Sequence, residues 1–218
     1  MQFIKTTRIK LVVIKLDFRF NFISFLRLLP AVECSKVLSY RKPEDQLRAF
    51  ASSLLKYYYL AKCLNLSPSQ IKINCTPAGK PYLDMLGCKL KFNISHSGEY
   101  VIMAITDDFE IGIDVEAIDS AFRYQEVMKL IFSSFETTQI KNLTDFYHLF
   151  GKKEAYLKAL GVGFGTELIA TPALSLDLYQ HGVIDEFKRY HLASSMNLNK
   201  YVVSLCVIED QPNSFRTR

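Results

Sequence analysis

The sequence predicts an α+β fold of two similar lobes, each a helix packed on a small, mainly antiparallel sheet, in a pseudo-two-fold arrangement. Two observations predict it. Each half carries a helical stretch with a core-facing apolar stripe, and each half surrounds that stretch with short strand-like runs broken by Pro, Gly, Ser and Asp. The boundary falls near Asp108, giving an N-terminal lobe over 1–108 and a C-terminal lobe over 109–218. The halves share no overt repeat, so a two-fold relation between them would be structural only.

From Lys15 to Phe22 polar and apolar residues alternate, with Leu16, Phe18, Phe20 and Phe22 on one side, as a half-buried strand requires. After Pro43, Glu44 and Asp45 fill a first turn. Leu47, Phe50, Ala51, Leu54, Tyr58 and Ala61 then recur at the spacing of a core-facing helix. Short β-like runs follow at Ile71 to Cys75, Lys89 to Ile94 and Val101 to Ile105; Thr106 to Glu110 reads as a turn and Ile111 to Val115 as the next strand. Helical spacing returns at Tyr124 to Ile131, Glu136 to Lys141 and Thr144 to Leu160. Strand-like runs at Leu174 to Leu178, Val183 to Lys188 and Lys200 to Ile208 close the chain, and the tail after Asp210 is expected to fray.

A chain of 218 residues can bury a substantial core, and 49% hydrophobic with 22% charged residues excludes disordered, collagenous and disulfide-scaffold classes. The formal charge of +5 fits either an anionic partner or simply a mildly basic enzyme. Nucleic acid is disfavoured, because the positive charge is dispersed and no aromatic RNP-like strand or basic helix block accompanies it. Cys34, Cys63, Cys75, Cys88 and Cys206 are odd in number, scattered and without a C-x-x-C pair, which fits a reducing cytoplasm. Lys5, Arg8, Lys10, Lys15, Asp17 and Arg19 interrupt the apolar N-terminus too often for a signal or a membrane span. The Asn-x-Ser/Thr matches at Asn65, Asn74, Asn93 and Asn142 are then chance occurrences.

Three segments carry chemistry. Ile111-Gly112-Ile113-Asp114-Val115-Glu116 sets two carboxylates at period two in an apolar strand, so Asp114 and Glu116 share a side. Such a pair of hard oxygen ligands suits Mg²⁺, which takes the rest of its shell from water and substrate phosphate. An acidic solvated strand end is the plainer alternative. Phe150-Gly151-Lys152-Lys153-Glu154-Ala155-Tyr156-Leu157-Lys158 puts Glu154 and Lys158 one turn apart, either an ordinary surface pair or a carboxylate beside a phosphate-binding cation. Gly79-Lys80-Pro81-Tyr82 and then Phe92-Asn93-Ile94-Ser95-His96-Ser97 offer ammonium, hydroxyl and imidazole donors. A Ser-His hydrolase is disfavoured, since Ser95 and His96 as strand neighbours point to opposite faces.

Taken in chain order, from about Tyr40 to Gly161, these segments resemble the 4'-phosphopantetheinyl transferase superfamily, of the type that activates surfactin synthetase. Asp45 and Arg48 on the first helix and Phe132-Ser133-Ser134-Phe135-Glu136 complete the pattern. The resemblance implies transfer of 4'-phosphopantetheine from coenzyme A to a serine of an acyl or peptidyl carrier protein, in fatty-acid, polyketide or nonribosomal peptide synthesis. It makes Asp114, Glu116 and Glu154 the Mg²⁺ carboxylates and gives coenzyme A to Arg48, Lys80, Pro81, Ser95, His96 and Lys158. Glu154 and Lys158 are implied to be catalytic, Glu154 as the acceptor of the serine proton and Lys158 at the leaving pyrophosphate. Phe150 stands where the family usually has tryptophan. Lys36, Arg41 and Lys42 compete for a nucleotide-phosphate role, and Ser133 with Glu136 also reads as a capping box. Gly161-Val162-Gly163-Phe164-Gly165 follows a helix, so it reads as a C-cap and loop and not as a dinucleotide fingerprint. The resemblance leaves one rival, a relative that binds coenzyme A or carrier protein without turnover. A cytoplasmic monomer is expected, without nucleic-acid or membrane partners.

Overall fold

A computed structural model describes residues 9–162, 171, 174–184, 188–198 and 200–210. Its first strand, β1 (Lys10–Lys15), lies earlier than the alternation at 15–22 predicts. Asp17 is the reason. Its carboxylate accepts from the Arg19 backbone N–H at 3.0 Å and from the guanidinium at 2.9 and 2.8 Å, and Phe20 N–H returns to the Asp17 carbonyl at 2.9 Å. This local turn withdraws the segment from any ladder, and a 3₁₀ segment, Ile23–Leu28, follows it.

Helix α1 (Ala31–Ser39), which the periodicity did not reveal, packs on α2 (Pro43–Leu54), which starts with proline in its first turn as expected. A π-helical turn, Leu55–Tyr59, joins α2 to α3 (Leu60–Leu64). The π turn breaks the 3.6-residue phase. Leu55 and Tyr57 are therefore buried while Tyr58, expected inside, is 37% exposed. Between the helices the buried Glu33 carboxylate accepts from Ser53 Oγ at 2.5 Å and from Lys56 Nζ at 2.7 and 2.8 Å.

A small hairpin of β2 (Ile73–Cys75) and β3 (Pro81–Leu83) leads to β4 (Lys91–Ser97) and β5 (Tyr100–Thr106). The first sheet is antiparallel, ordered β1-β5-β4. Its central strand β5 is covered on both faces. Val101, Met103 and Ile105 join the core under α2, while Ile102 and Ala104 face a second cluster with Ile111, Ile113 and Val115. That cluster is the floor between the lobes.

The C-terminal lobe begins with β6 (Glu110–Ala117), continues through α4 (Tyr124–Ile131), α5 (Ser134–Gln139) and α6 (Leu143–Leu160), and ends with β7 (Tyr179–Val183), β8 (Lys188–Leu198) and β9 (Tyr201–Asp210). Its antiparallel sheet has the order β6-β9-β8-β7, and α6 lies across β6 and β9. Each lobe is thus a helix on an antiparallel sheet, the pseudo-two-fold α+β design that the sequence predicts. Leu174–Leu178 is not a strand, because its backbone is spent elsewhere. Glu136, Gln139 and Lys152 side chains bind the backbone of Leu174, Ser175, Leu176 and Asp177. Of the run predicted at 183–188, β7 ends at Val183, β8 begins at Lys188, and 185–187 lie outside the described residues. Gly161 closes α6 with φ of 75°, as its C-cap reading requires; 163–165 and the tail after Asp210 lie outside the described residues. No described helix is long and apolar enough to cross a membrane, and all five cysteines are free thiols.

Candidate active site

The two sheets meet where the outer edge of β6 faces β4, and they meet through side chains. Ile113 N–H donates to Asn93 Oδ1 at 2.9 Å, Val115 N–H to Ser95 Oγ at 3.3 Å, and Ala117 N–H to Ser97 Oγ at 3.0 Å. Period two in β4 matches period two in β6. A largely buried row of edge-strand donors would otherwise go unpaired at this seam.

The same ladder seats the carboxylates. Ser95 Oγ donates to Asp114 Oδ1 at 3.1 Å, and Lys158 Nζ reaches that oxygen at 2.6 Å and Ser95 Oγ at 3.1 Å. Asp114 Oδ2 is buried with no hydrogen-bond partner among the described residues. Burial, and then the Asp114 charge beside it, pushes Glu116 up to about 7. Burial likewise raises Glu154 to about 7; Lys158 opposes the shift and Asp114 adds to it. Glu116 also feels Glu154. Glu116 and Glu154 thus lie in a desolvated region within reach of the Asp114 charge, and both effects disfavour their ionised forms.

Helix α6 brings Glu154 and Lys158 to this point because Gly112 lets it approach β6. A Cβ at Gly112 would stand 2.0 Å from the Ala155 carbonyl oxygen and 2.4 Å from the Ala159 nitrogen. Beneath the site Phe150 stacks on Phe146 at 5.8 Å, an aromatic packing role. A cleft of about 240 Å³ opens beside these groups, lined by Lys80, Pro81, Glu154, Leu157 and Lys158.

Among the described residues no three His, Cys, Asp or Glu side chains converge as a metal cage. The set expected from the sequence, Asp114, Glu116 and Glu154, is coupled electrostatically but is not a closed ligand shell, since the Lys158 ammonium already sits on Asp114 Oδ1. The donor set nonetheless fits Mg²⁺, which needs only one or two carboxylates when substrate phosphate and water complete its octahedron. Asp114 Oδ2, buried and without a partner among the described residues, and the two carboxyls raised mainly by burial are acceptors available to such a cation.

The other expected residues divide. His96 alternates with Ser95 on β4 and is exposed, yet local desolvation and then the Arg48 charge lower its pKa. Arg48 is held by the Gly98 carbonyl at 2.7 Å and by Asp45 Oδ1 at 2.5 Å, with its guanidinium over Phe18. Lys80 binds Glu110 Oε2 at 3.1 Å and the Ala159 carbonyl at 2.9 Å, bracing the C-terminal end of α6 as well as lining the cleft. Glu136 stands apart from the carboxylates, fully buried in the capping box with Ser133 and paired with Lys153 Nζ at 3.1 Å. The sequence pattern assigned no individual role to Asn93 or Ser97, although both lie in the quoted strand. The signal was available in the Asn93, Ser95, Ser97 alternation, three hydrogen-bonding side chains on one face of an otherwise apolar strand.

Comparison with known proteins matches two families in succession. Residues 18–107 match the family described as 4'-phosphopantetheinyl transferase, N-terminal, and residues 110–206 match the 4'-phosphopantetheinyl transferase superfamily. The chain is 33% identical over 151 residues to the 4'-phosphopantetheinyl transferase of Bacillus subtilis, covering 65% of this chain and 66% of that one. A Synechocystis protein provisionally named for the same activity is 32% identical, with 71% and 66% covered. The L-aminoadipate-semialdehyde dehydrogenase-phosphopantetheinyl transferase of Rattus norvegicus is 31% identical, with 62% and 50% covered. The chain therefore spans about two thirds of the bacterial relatives and half of the rat protein.

Proposed function

The chain belongs to the 4'-phosphopantetheinyl transferase superfamily, and from that membership we propose that it moves the 4'-phosphopantetheine arm of coenzyme A onto a serine of an acyl or peptidyl carrier protein. One observation carries the reading: a buried Asp114 with one oxygen held by Lys158 and Ser95 and the other unpaired, beside two carboxyls raised to about 7. This is a site prepared for a cation and a polyanion together.

In the proposed step the carrier serine Oγ forms a bond to the β-phosphorus of coenzyme A. The bond from that phosphorus to the bridging pyrophosphate oxygen breaks, and 3',5'-adenosine bisphosphate leaves. Positioning and charge neutralisation dominate such transfers. Asp114, Glu116 and Glu154 would hold Mg²⁺, which when bound offsets charge on the pyrophosphate oxygens. Glu154, near neutrality in its acid strength, accepts the serine proton directly or through a water. Lys158 faces the same region from one turn along α6 and offsets charge growing on the leaving group. Arg48, Lys80, Pro81, Ser95 and His96 are assigned to coenzyme A, with Lys80 and Pro81 lining the cleft. We assign residues 1–108 and 109–218 to the two lobes, the surfactin-synthetase-activating type to the chain, and the reducing cytoplasm to the reaction, a setting that five free cysteines support.

Mass spectrometry of candidate carriers after incubation with this protein, Mg²⁺ and coenzyme A tests the proposal. One phosphopantetheine gained per carrier is the expected result. Binding of coenzyme A or carrier with no mass gain on any of them would make the chain a non-catalytic relative.

A further inference from the structure

The seam ladder does two things at each serine. Ser95 Oγ accepts from the Val115 N–H and donates to Asp114, the residue before it. Ser97 Oγ repeats the pattern one period along, accepting from the Ala117 N–H at 3.0 Å and donating to Glu116 Oε2 at 3.4 Å. Among the described residues Asn93 makes the first contact, to the Ile113 N–H, without a second one to a carboxylate. Each serine hydroxyl accepts and donates at once, whereas Asn93 caps the Ile113 N–H beside Gly112, a β6 position that carries no acid.

We propose that Ser97 is a positioning residue: anchored by the Ala117 N–H, its hydroxyl aims the Glu116 carboxylate, so that the N-terminal lobe sets the orientation of a cation ligand carried by the C-terminal lobe. The inference rests on the proposed Mg²⁺ role of Glu116. Freed of this contact, a half-buried glutamate has three rotatable side-chain bonds over which to spread its carboxylate. Ligand-orienting partners of this kind tune metal affinity strongly, which is why the effect should be legible in binding.

The test uses Mn²⁺ as the probe, with free Mn²⁺ counted by electron paramagnetic resonance in titrations of the full chain plus coenzyme A. Ser97→Ala should weaken Mn²⁺ binding about tenfold, and Ser97→Thr, which keeps the hydroxyl, should stay within about twofold of wild type. Asn93→Ala removes a backbone cap of the same kind and should lower the melting temperature while leaving Mn²⁺ affinity unchanged. Wild-type affinity in Ser97→Ala overturns the proposal, as does an equal loss in Asn93→Ala, which would mark a general loosening of the seam. Ser97 and Ala117 are both partly exposed, so water can replace the lost hydroxyl and the variant should fold. Should it not, Ser97→Cys carries the same measurement, its thiol being a feeble donor, and unchanged affinity there overturns the idea equally. Mn²⁺ binding that depends on Ser97, in a protein that modifies no carrier, would sink the transfer reading and leave the positioning role standing. Carrier modification with Ser97-independent Mn²⁺ binding would do the reverse.

Discussion

At Asp114 the chemistry and the fold compete for the same side chain. Its Oδ1 is saturated by Ser95 and Lys158 while Oδ2 has no partner among the described residues, so Asp114→Asn keeps an acceptor for both neighbours and removes the charge. Transfer should fall on the order of 10²- to 10³-fold with the circular dichroism spectrum unchanged; near-normal, Mg²⁺-dependent modification of a carrier would show the site to be elsewhere. Like-charge relief from this change is partly offset, because Lys158 already compensates Asp114. Glu154 makes a pH prediction. Its carboxyl is raised to about 7 in the fold and ionises near 4.3 in the unfolded chain. Between these values the folded state binds the extra proton, so stability from this group is present at low pH and is lost as pH rises through about 7. Metal-free Glu154→Gln should therefore gain melting temperature relative to wild type more at pH 8 than at pH 5. A gain independent of pH would remove Glu154 from the desolvated region.

At the scale of elements, the contact between α6 and β6 delivers Glu154 and Lys158 to the strand that carries Asp114 and Glu116. Gly112 makes that contact possible, since any Cβ there would overlap the α6 backbone. Gly112→Ala should destabilise the chain by about 3 kcal/mol or more, roughly 6–12 °C in melting temperature. It should lower transfer beyond what the unfolded fraction explains, because displacing α6 moves both side chains proposed to act in the transfer, Glu154 and Lys158. Calorimetry alongside single-turnover transfer separates the two, and a variant with wild-type stability would contradict the close approach. The buried Glu136–Lys153 pair acts at this scale too. It ties α5 to α6 and, through the Leu174 N–H, to the following segment, a structural role for a residue of the motif.

For the whole molecule, the formal charge of +5 bears on how a partner arrives more than on how tightly it stays. If the carrier presents an acidic surface, raising ionic strength from about 0.05 to 0.5 M at fixed free Mg²⁺ should lower kcat/KM by about an order of magnitude, with kcat little changed. A salt-independent kcat/KM would deny the electrostatic encounter. The lobes share one apolar floor, with Ile102 and Ala104 from one sheet against Ile111, Ile113 and Val115 from the other. Such a floor makes relative lobe motion costly and keeps the seam registered.

The sequence by itself determined the elements whose signals are local. The Pro43 helix start, the Ser133–Glu136 cap, the Gly161 stop and the period-two carboxylates of β6 were all legible, because each depends on residues within a turn or a strand of one another. Helix α1 and the true position of β1 were not legible, since α1 is held by a buried Glu33–Lys56 pair across two helices and β1 was displaced by one Asp17 turn. The strand expected at 174–178 failed for the same reason, its backbone being captured by side chains from α5 and α6. Only the tertiary structure decided that Lys158 rests on Asp114, that Lys80 braces α6, and that Asn93, Ser95 and Ser97 join the lobes. Those contacts link residues 20 to 79 positions apart. A linear pattern states which residues share a face of one element, but which face meets another element is settled when the cores close and each buried polar group must find a partner.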